Sequence, residues 1–302
     1  MLHLVRVENK TDAVVVSNGG KRENAPPADR STANPILSVR PGKITWIVVT
    51  GCVCMEIFLV WADAYINAGK RTDLDMVRRL FNITREDGFA TWFAVTQTWM
   101  VGLTVFAVFL VRRRLDGARW RKVGWLVLSL FFFYMAMDDG SEFHERIGSA
   151  FKKVHAEAVE EESPETLGAK MLQASPSYPW QTLFIPFFGA AGLFMVFFLW
   201  RELDSWRLFA VVCVAVGLLA AAVVFDFVEG LDAEYPWNLH DRIREQYGLS
   251  RYQVRHFGKS ILEFMEMLAM TLFWAVFLRH GMSLAPSVEL RFQEKHTSQH
   301  DS

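Results

Sequence analysis

The sequence predicts an all-α fold: a polytopic membrane protein whose six transmembrane helices form one bundle. Of its 302 residues, 52% are hydrophobic and 22% are charged, and the charges are grouped rather than spread along the chain. Six apolar stretches are long enough to cross a hydrocarbon core of ~30 Å at ~1.5 Å per helical residue. The formal net charge of −1 and the grouping of charges argue against a nucleic-acid-binding protein, a disordered chain and a soluble globular enzyme.

The transmembrane domain is expected at residues 43–280. Its second and fourth spans contain no charged residue, as is typical of helices that face lipid or are fully buried. Glycines within the spans are expected to let neighbouring helices approach closely. These are Gly102, Gly124, Gly189, Gly192 and Gly217. The six spans are predicted at residues 44–67, 89–111, 123–145, 180–200, 207–229 and 259–278.

The basic residues of the loops predict the orientation of the bundle. The loop between the second and third spans is rich in arginine, which marks a cytoplasmic loop. Both termini are therefore expected in the cytoplasm, with the protein in the cell inner membrane. The polar segments 1–42 and 281–302 are interpreted as disordered cytoplasmic tails. The loop 68–88 opposes this rule, because it carries five basic residues and is assigned outside.

Acidic residues interrupt the spans in one half of the membrane. The uncharged part of the sixth span is 12 residues long, about 18 Å of helix, so the span must include Glu263 and Glu266. The third span is short in the same way and must include Asp138. Counted from the basic loops, all such acids fall in the outer half of the bilayer. Because a charge at this depth costs at least ~2.5 kcal/mol, they predict a functional site that opens outward.

Helical phase indicates which of these groups lie together. If the third helix continues through residues 141–160, Asp138, Glu142 and Glu145 share one face and His144 points about 120° away. His256 and Glu263 are seven residues apart and would also share a face. The segment 232–258 is expected to form one or two short helices over the mouth of the cavity.

A metal site is the leading hypothesis for this cluster. Carboxylates and histidines from several helices are typical ligands of Zn, Fe or Mn, whereas haem is not expected because both histidines lie near the membrane edge. The function predicted first is a metal-dependent membrane enzyme on a lipid-like or quinone-like substrate, with Glu263, Glu266 and Asp138 as catalytic groups. The predicted metal ligands are Asp138, Glu142, His144, Glu145, Asp226, Glu229, His256, Glu263 and Glu266.

Two alternatives remain open at this stage. The acids could serve a proton- or ion-coupled transporter or channel subunit, because buried carboxylates are typical proton-relay groups. They could also be structural, neutralised at the interface by Arg242, Arg244, Arg251, Arg255 and Lys259. In every case the expected partner is the lipid bilayer, and no nucleic acid is expected.

The run MAMDDGSEFHERIG resembles a motif of uncharacterised bacterial multi-pass membrane proteins. In that motif the third span ends in Asp-(Asp/Glu)-x4-His-Glu, and the last span reads Glu-x2-Glu-(Met/Leu). The matching residues here are Asp138, Asp139, His144, Glu145, Glu263, Glu266 and Met267. The resemblance covers two helices of six and implies a fold more than an activity.

A fainter likeness is to alkaline ceramidases and adiponectin-type receptors, which place Asp, Glu and His around zinc, although this chain lacks their His-x3-His pair and has one span fewer.

Overall fold

A computed structural model describes residues 41–115, 117–155, 166–173, 177–231 and 238–284, together with Ser175 and Tyr235. The predicted all-α class is confirmed, because these residues form helices and no strand. Most of the predicted tails, at 1–40 and 285–302, lies outside the described residues. The same holds for residues 156–165 and for most of the segment 232–237.

Six of the helices are long and apolar enough to cross a membrane, so the protein is a multi-pass membrane protein. The first, α1, continues into a π-helix at Ala64–Ala68. The six are α1 (Pro41–Asp63), α3 (Phe89–Arg114), α4 (Arg119–Ser141), α7 (Pro179–Glu202), α8 (Trp206–Glu229) and α10 (Arg251–Leu284). The shorter helices are α2 (Asp75–Leu80), α5 (Phe143–Val154), α6 (Leu167–Gln173) and α9 (Leu239–Tyr247).

Helix α10 lies at the centre of the bundle and packs against α1, α3 and α8. Helices α3 and α4 form an antiparallel pair, and α5 packs across α7. The core is filled by fully buried aromatic side chains such as Trp125, Phe132 and Phe273. In a bilayer, a ring that is not buried in protein contacts apolar lipid tails and not water. Close packing of side chains, and not the exclusion of water, therefore holds such helices together.

Two of the five predicted close-approach glycines are confirmed. A Cβ at Gly102 would lie 2.8 Å from the Phe133 ring, and one at Gly124 would overlap the Phe198 ring. A Cβ at Gly189, Gly192 or Gly217 would meet no atom within 4 Å, so the prediction is wrong for these three.

The predicted third span, 123–145, is too long, and the expected continuation through 141–160 is wrong. Helix α4 ends at Ser141, and Glu142 has a positive φ of 51° in the left-handed region. The Asp138 carboxylate accepts the backbone N–H of His144, as a capping side chain does at a helix start. This bond starts α5 in a new direction towards α7.

The sixth helix is longer than predicted. Helix α10 begins at Arg251, eight residues before the expected 259, and so includes His256 and Lys259. Helix α9 confirms that a short helix forms within 232–258. We call the end of the bundle with Arg112, Arg121 and Arg201 the basic end, and the opposite end, with Asp63, Asp138 and Glu229, the acidic end.

Candidate carboxylate and histidine site

A group of mutually repelling carboxylates lies at the acidic end. Glu263 interacts electrostatically with Glu266, Asp139 and Glu86, and Glu266 also interacts with Asp226. Lys259, Glu263 and Glu266 are spaced i, i+4 and i+7 and therefore lie along one face of α10. We call Glu86, Asp139, Asp226, Glu263 and Glu266 the acid cluster.

In the described part of the chain, two basic residues interact with the acid cluster. His144 interacts with Asp139 and Asp226, and Lys259 interacts with Glu86, Asp226, Glu263 and Glu266. Its half-buried ammonium group also interacts with Glu145 and Glu229. One lysine and one histidine leave most of the negative charge of the five carboxylates uncompensated. The cluster is only half-buried, and Glu86 is exposed. Protons or a bound cation would relieve the remaining repulsion between its carboxylates.

Asp138 and His144 form a hydrogen-bonded pair beside the cluster. Asp138 is buried, and its Oδ2 accepts from His144 Nδ1 at 2.8 Å. Burial alone lowers the pKa of His144, but the hydrogen bond and charge of Asp138 outweigh it, so this pKa lies above its ordinary value. The predicted separation of about 120° between these residues is wrong, because the break at Glu142 turns His144 back onto Asp138.

The His144 ring is also held by aromatic packing. It lies edge-on to the Trp180 ring with 4.6 Å between the centroids. The Asp138 bond occupies Nδ1, and Nε2 makes no hydrogen bond with any described residue. A carboxylate that orients one ring nitrogen while the other stays open is the usual arrangement around a metal-binding histidine.

Two of the predicted ligands have hydrogen-bonded or ion-paired partners in the protein. Asp226 Oδ2 accepts from Gln181 Nε2 at 3.0 Å. Glu229 is buried and forms an ion pair with Arg255 at 3.1 Å, as the structural alternative expects for this residue. The same guanidinium donates to the Tyr178 hydroxyl at 3.4 Å. Burial and the nearby Glu229 raise the pKa of Tyr178.

His256 does not join Glu263, although the two are seven residues apart. Its Nε2 bonds Asp63 Oδ2 at 2.8 Å, across the interface between α1 and α10. Asn67 Nδ2 donates to the other carboxylate oxygen of Asp63 at 2.9 Å. His256 thus belongs to a second, separate group of polar residues on the neighbouring side of α10.

A third polar group lies deeper in the bundle. Glu56 is fully buried, and its Oε1 accepts from Gln97 Nε2 and from the Thr271 hydroxyl. Glu56 Oε2 and Gln97 Oε1 have no hydrogen-bond partner among the described residues. These contacts join Glu56 on α1, Gln97 on α3 and Thr271 on α10.

Glu86 was missed by the sequence analysis. It lies in the loop before α3, outside the predicted spans, yet it reaches the acid cluster. Desolvation by the surrounding protein, together with Asp139, Glu142 and Glu145, raises the pKa of Glu86 to about 7, and Lys259 opposes this shift. The sequence feature that pointed to this region is the loop 68–88, whose five basic residues conflict with its assignment to the outside.

A second missed group lies at the basic end. Glu202 is completely buried and accepts from Trp125 Nε1 at 2.9 Å. Its carboxylate also forms ion pairs with Arg112 at 3.3 Å and Arg121 at 2.9 Å. The predicted spans leave Glu202 in a loop, and they predict no acid within this half of the bundle.

The nine predicted metal ligands therefore do not form one group. Glu263 interacts with Glu266, and Glu266 interacts with Asp226, whereas Glu142 forms an ion pair with Arg146 and Glu145 is exposed on α5. Within the described residues, no three Asp, Glu, His or Cys side chains are arranged to hold a metal ion. The groups best placed to supply ligands are Glu263, Glu266, Asp139 and the open Nε2 of His144.

Comparison with known families gives one match, over residues 46–281. The chain belongs to the family described as Domain of unknown function (DUF8692). The matched region begins within α1 and ends within α10, so all six membrane helices of this DUF8692 member are part of it. No curated protein and no solved structure matches the chain.

Proposed function

We propose that this protein binds a divalent metal ion at the acid cluster and acts as a metal-dependent membrane enzyme. The observation that supports the proposal is the uncompensated charge of the cluster, with one lysine and one histidine for five carboxylates. Carboxylate oxygens with one imidazole nitrogen suit Mn, Fe or Zn. The substrate is a lipid-like or quinone-like molecule, because such molecules reach a site at this depth from the bilayer.

The His144–Asp138 pair supports a metal over protons alone. Asp138 holds Nδ1, which leaves Nε2 of a neutral imidazole as a ligand. Since a metal must displace the proton of His144, and the pKa of His144 is raised, metal affinity increases with pH.

The proposed location is the cell inner membrane, with both termini in the cytoplasm and the acid cluster facing outward. The arginines at the basic end support this orientation. The loop 68–88 carries five basic residues and opposes this orientation. Two of them, Arg79 and Arg85, pair with Asp87, at 2.6 and 2.9 Å. These contacts hold the pKa of Asp87 at about 2.

A second candidate function is proton-coupled transport, which the position of Glu56 favours. Glu56 is fully buried near the middle of α1 with no cationic partner among the described residues, as expected for a carboxyl group that carries a proton. Glu86, whose pKa is about 7, could exchange protons with solvent near neutral pH at the acidic end.

Elemental analysis of the purified protein tests the first proposal. The wild type is expected to carry Mn, Fe or Zn in roughly stoichiometric amount, and Glu266→Gln to lose most of it. Glu245→Gln is the matched control, because Glu245 is an exposed acid on α9. Metal at background in the wild type, together with pH-gradient-driven flux in proteoliposomes that Glu56→Gln abolishes, would replace the enzyme proposal by the transport one.

A further inference from the structure

A cleft separate from the acid cluster opens between α10 and the end of α1. Its volume is about 700 Å³, within the usual range of small-molecule sites. The face of α10 that lines it carries Gln253, His256 and Ser260, whereas Lys259 and Glu263 lie on the neighbouring face. The cleft therefore does not depend on the metal site proposed above.

The wall of the cleft carries one hydrogen-bonding group that is fixed in place. His256 Nε2 faces the Asp63 carboxylate at 2.8 Å, and Tyr252 stacks on the imidazole ring. A carboxylate oxygen accepts, so Nε2 carries the hydrogen and Nδ1 of the neutral ring is an acceptor. Nδ1 forms no hydrogen bond with any residue that the structure describes. The pair is thus prepared to accept a hydrogen bond from a ligand.

The backbone beside this group is irregular. The chain makes a π-helix at Ala64–Ala68, closed by the Gly69 N–H donating to the Ala64 carbonyl at 3.0 Å. The next residue, Lys70, has a positive φ of 45°. Single π-turns and left-handed non-glycine residues cost free energy and occur preferentially at functional sites. Here both border the cleft.

The lining changes character along the helix axis. Val60, Ile261 and Phe264 lie towards the middle of the bundle, and Lys70 and Ser250 lie at the mouth. The distance along the helix from Val60 to Ala68 is about 12 Å. A ligand that matches this gradient has an apolar body, which lies among the deeper side chains, and one polar group at the level of His256.

We propose that this cleft binds an amphipathic alcohol, with its hydroxyl group donating to His256 Nδ1 and its apolar chain between α1 and α10. Asp63 is a positioning residue, which holds the imidazole in the tautomer that accepts. Asn67 fixes Asp63 in turn, since its amide also donates to the Arg78 carbonyl at 3.2 Å.

Photolabelling in phosphatidylcholine nanodiscs tests the assignment. The probes are a diazirine-bearing fatty alcohol and its methyl ether, in which a methyl group replaces the hydroxyl hydrogen and removes the donor. Peptide mapping by mass spectrometry measures labelling of residues 60–70 and 249–264. The alcohol is expected to label these segments roughly 2- to 10-fold more than the ether, as one hydrogen bond predicts.

Two variants separate the hydrogen bond from the shape of the cleft. His256→Phe keeps an aromatic ring and should reduce alcohol labelling to that of the ether. Ala64→Trp should fill the space and reduce labelling by both probes, and size-exclusion chromatography checks that each variant folds. Equal labelling by the two probes in the wild type, or an unchanged ratio in His256→Phe, overturns the proposal.

A chelator keeps this test distinct from that of the metal site. EDTA should remove any bound metal and leave alcohol labelling unchanged. Loss of labelling on chelation would place the alcohol at the metal instead and overturn the role of His256.

Discussion

Replacing Glu202 by alanine is expected to be among the most destabilising changes at the basic end. The side chain is completely buried and joins three helices through Trp125 on α4, Arg121 on α4 and Arg112 on α3. Its removal leaves the Trp125 N–H without its acceptor and the Arg112 guanidinium, only 15% exposed, without its counter-charge. Arg121, at 41% exposed, can turn towards solvent and contributes less.

These losses set the magnitude. Removing one partner of a buried ion pair costs about 3–5 kcal/mol, because the remaining charge stays desolvated. An unsatisfied buried N–H alone costs about 1–3 kcal/mol. We therefore expect Glu202→Ala to lower the free energy of unfolding by about 3–5 kcal/mol. Glu202→Gln should cost less, since its amide oxygen still accepts from Trp125.

The assay is reversible unfolding in mixed detergent micelles, followed by circular dichroism. A double-mutant cycle with Trp125→Phe isolates the hydrogen bond and should give a coupling of about 0.5–3 kcal/mol. Glu245→Ala, an exposed acid, should stay within about 0.5 kcal/mol of the wild type. If Glu202→Ala also stays within that range, the argument that buried charge pairing stabilises the basic end is refuted.

Three further predictions concern the acidic end. Gly148→Ala should detach α5 from α7 and lower stability by about 1–3 kcal/mol, because a Cβ there would lie 2.5 Å from the Trp180 backbone nitrogen; thermal unfolding measures this. His144→Gln should destabilise the protein most at acidic pH. The pKa of His144 is raised, so its protonated form contributes stability that is fully present below the ordinary pKa of about 6.5. This stability is lost as the pH rises through the raised pKa. Glu86→Gln should become stabilising relative to the wild type as pH rises from 4.5 to about 7, by about 1 kcal/mol or less because the side chain is exposed and screened; melting temperatures across pH measure both effects.

Each of these has its own control. Gly189→Ala, in α7, adds the same methyl group where no atom lies within 4 Å, so equal losses for the two glycines would contradict the packing argument. For His144, Asp138→Asn should remove the same pH dependence, and a profile parallel to the wild type would contradict the pair. For Glu86, the opposite result would contradict the raised pKa: Glu86→Gln would then stabilise the protein more at low pH than at pH 7.

The spans were predictable because one physical quantity determines them. An apolar run of only 12 residues before Arg279 cannot cross the bilayer, so the sequence alone required Glu263 and Glu266 to lie inside a helix. The structure places both within α10. Length and hydropathy need no knowledge of neighbouring helices, which explains why all six spans were located to within a few residues at most ends.

The partners of the acids were not predictable in the same way. Helical phase assumes an unbroken helix, and the left-handed Glu142 breaks α4 where the pattern suggested continuity. At this break Asp138 accepts the backbone N–H of His144 at the start of α5, so the contact between Asp138 and His144 forms only where the helical phase is interrupted. A local side-chain bond of this kind leaves no periodic signal.

The two ends of the bundle handle buried acids differently, and the contrast bears on the structural alternative. Glu202 at the basic end faces two arginines and one indole N–H, and Glu229 at the acidic end is paired with Arg255. Such pairing is what a structural acid requires, because an uncompensated buried charge is costly. Glu263 and Glu266 have repelling carboxylates as neighbours and share a single lysine. Because Glu202 and Glu229 are paired with arginines, we assign them a structural role. Because Glu263 and Glu266 face mainly other carboxylates, we propose that the acid cluster binds protons or a cation.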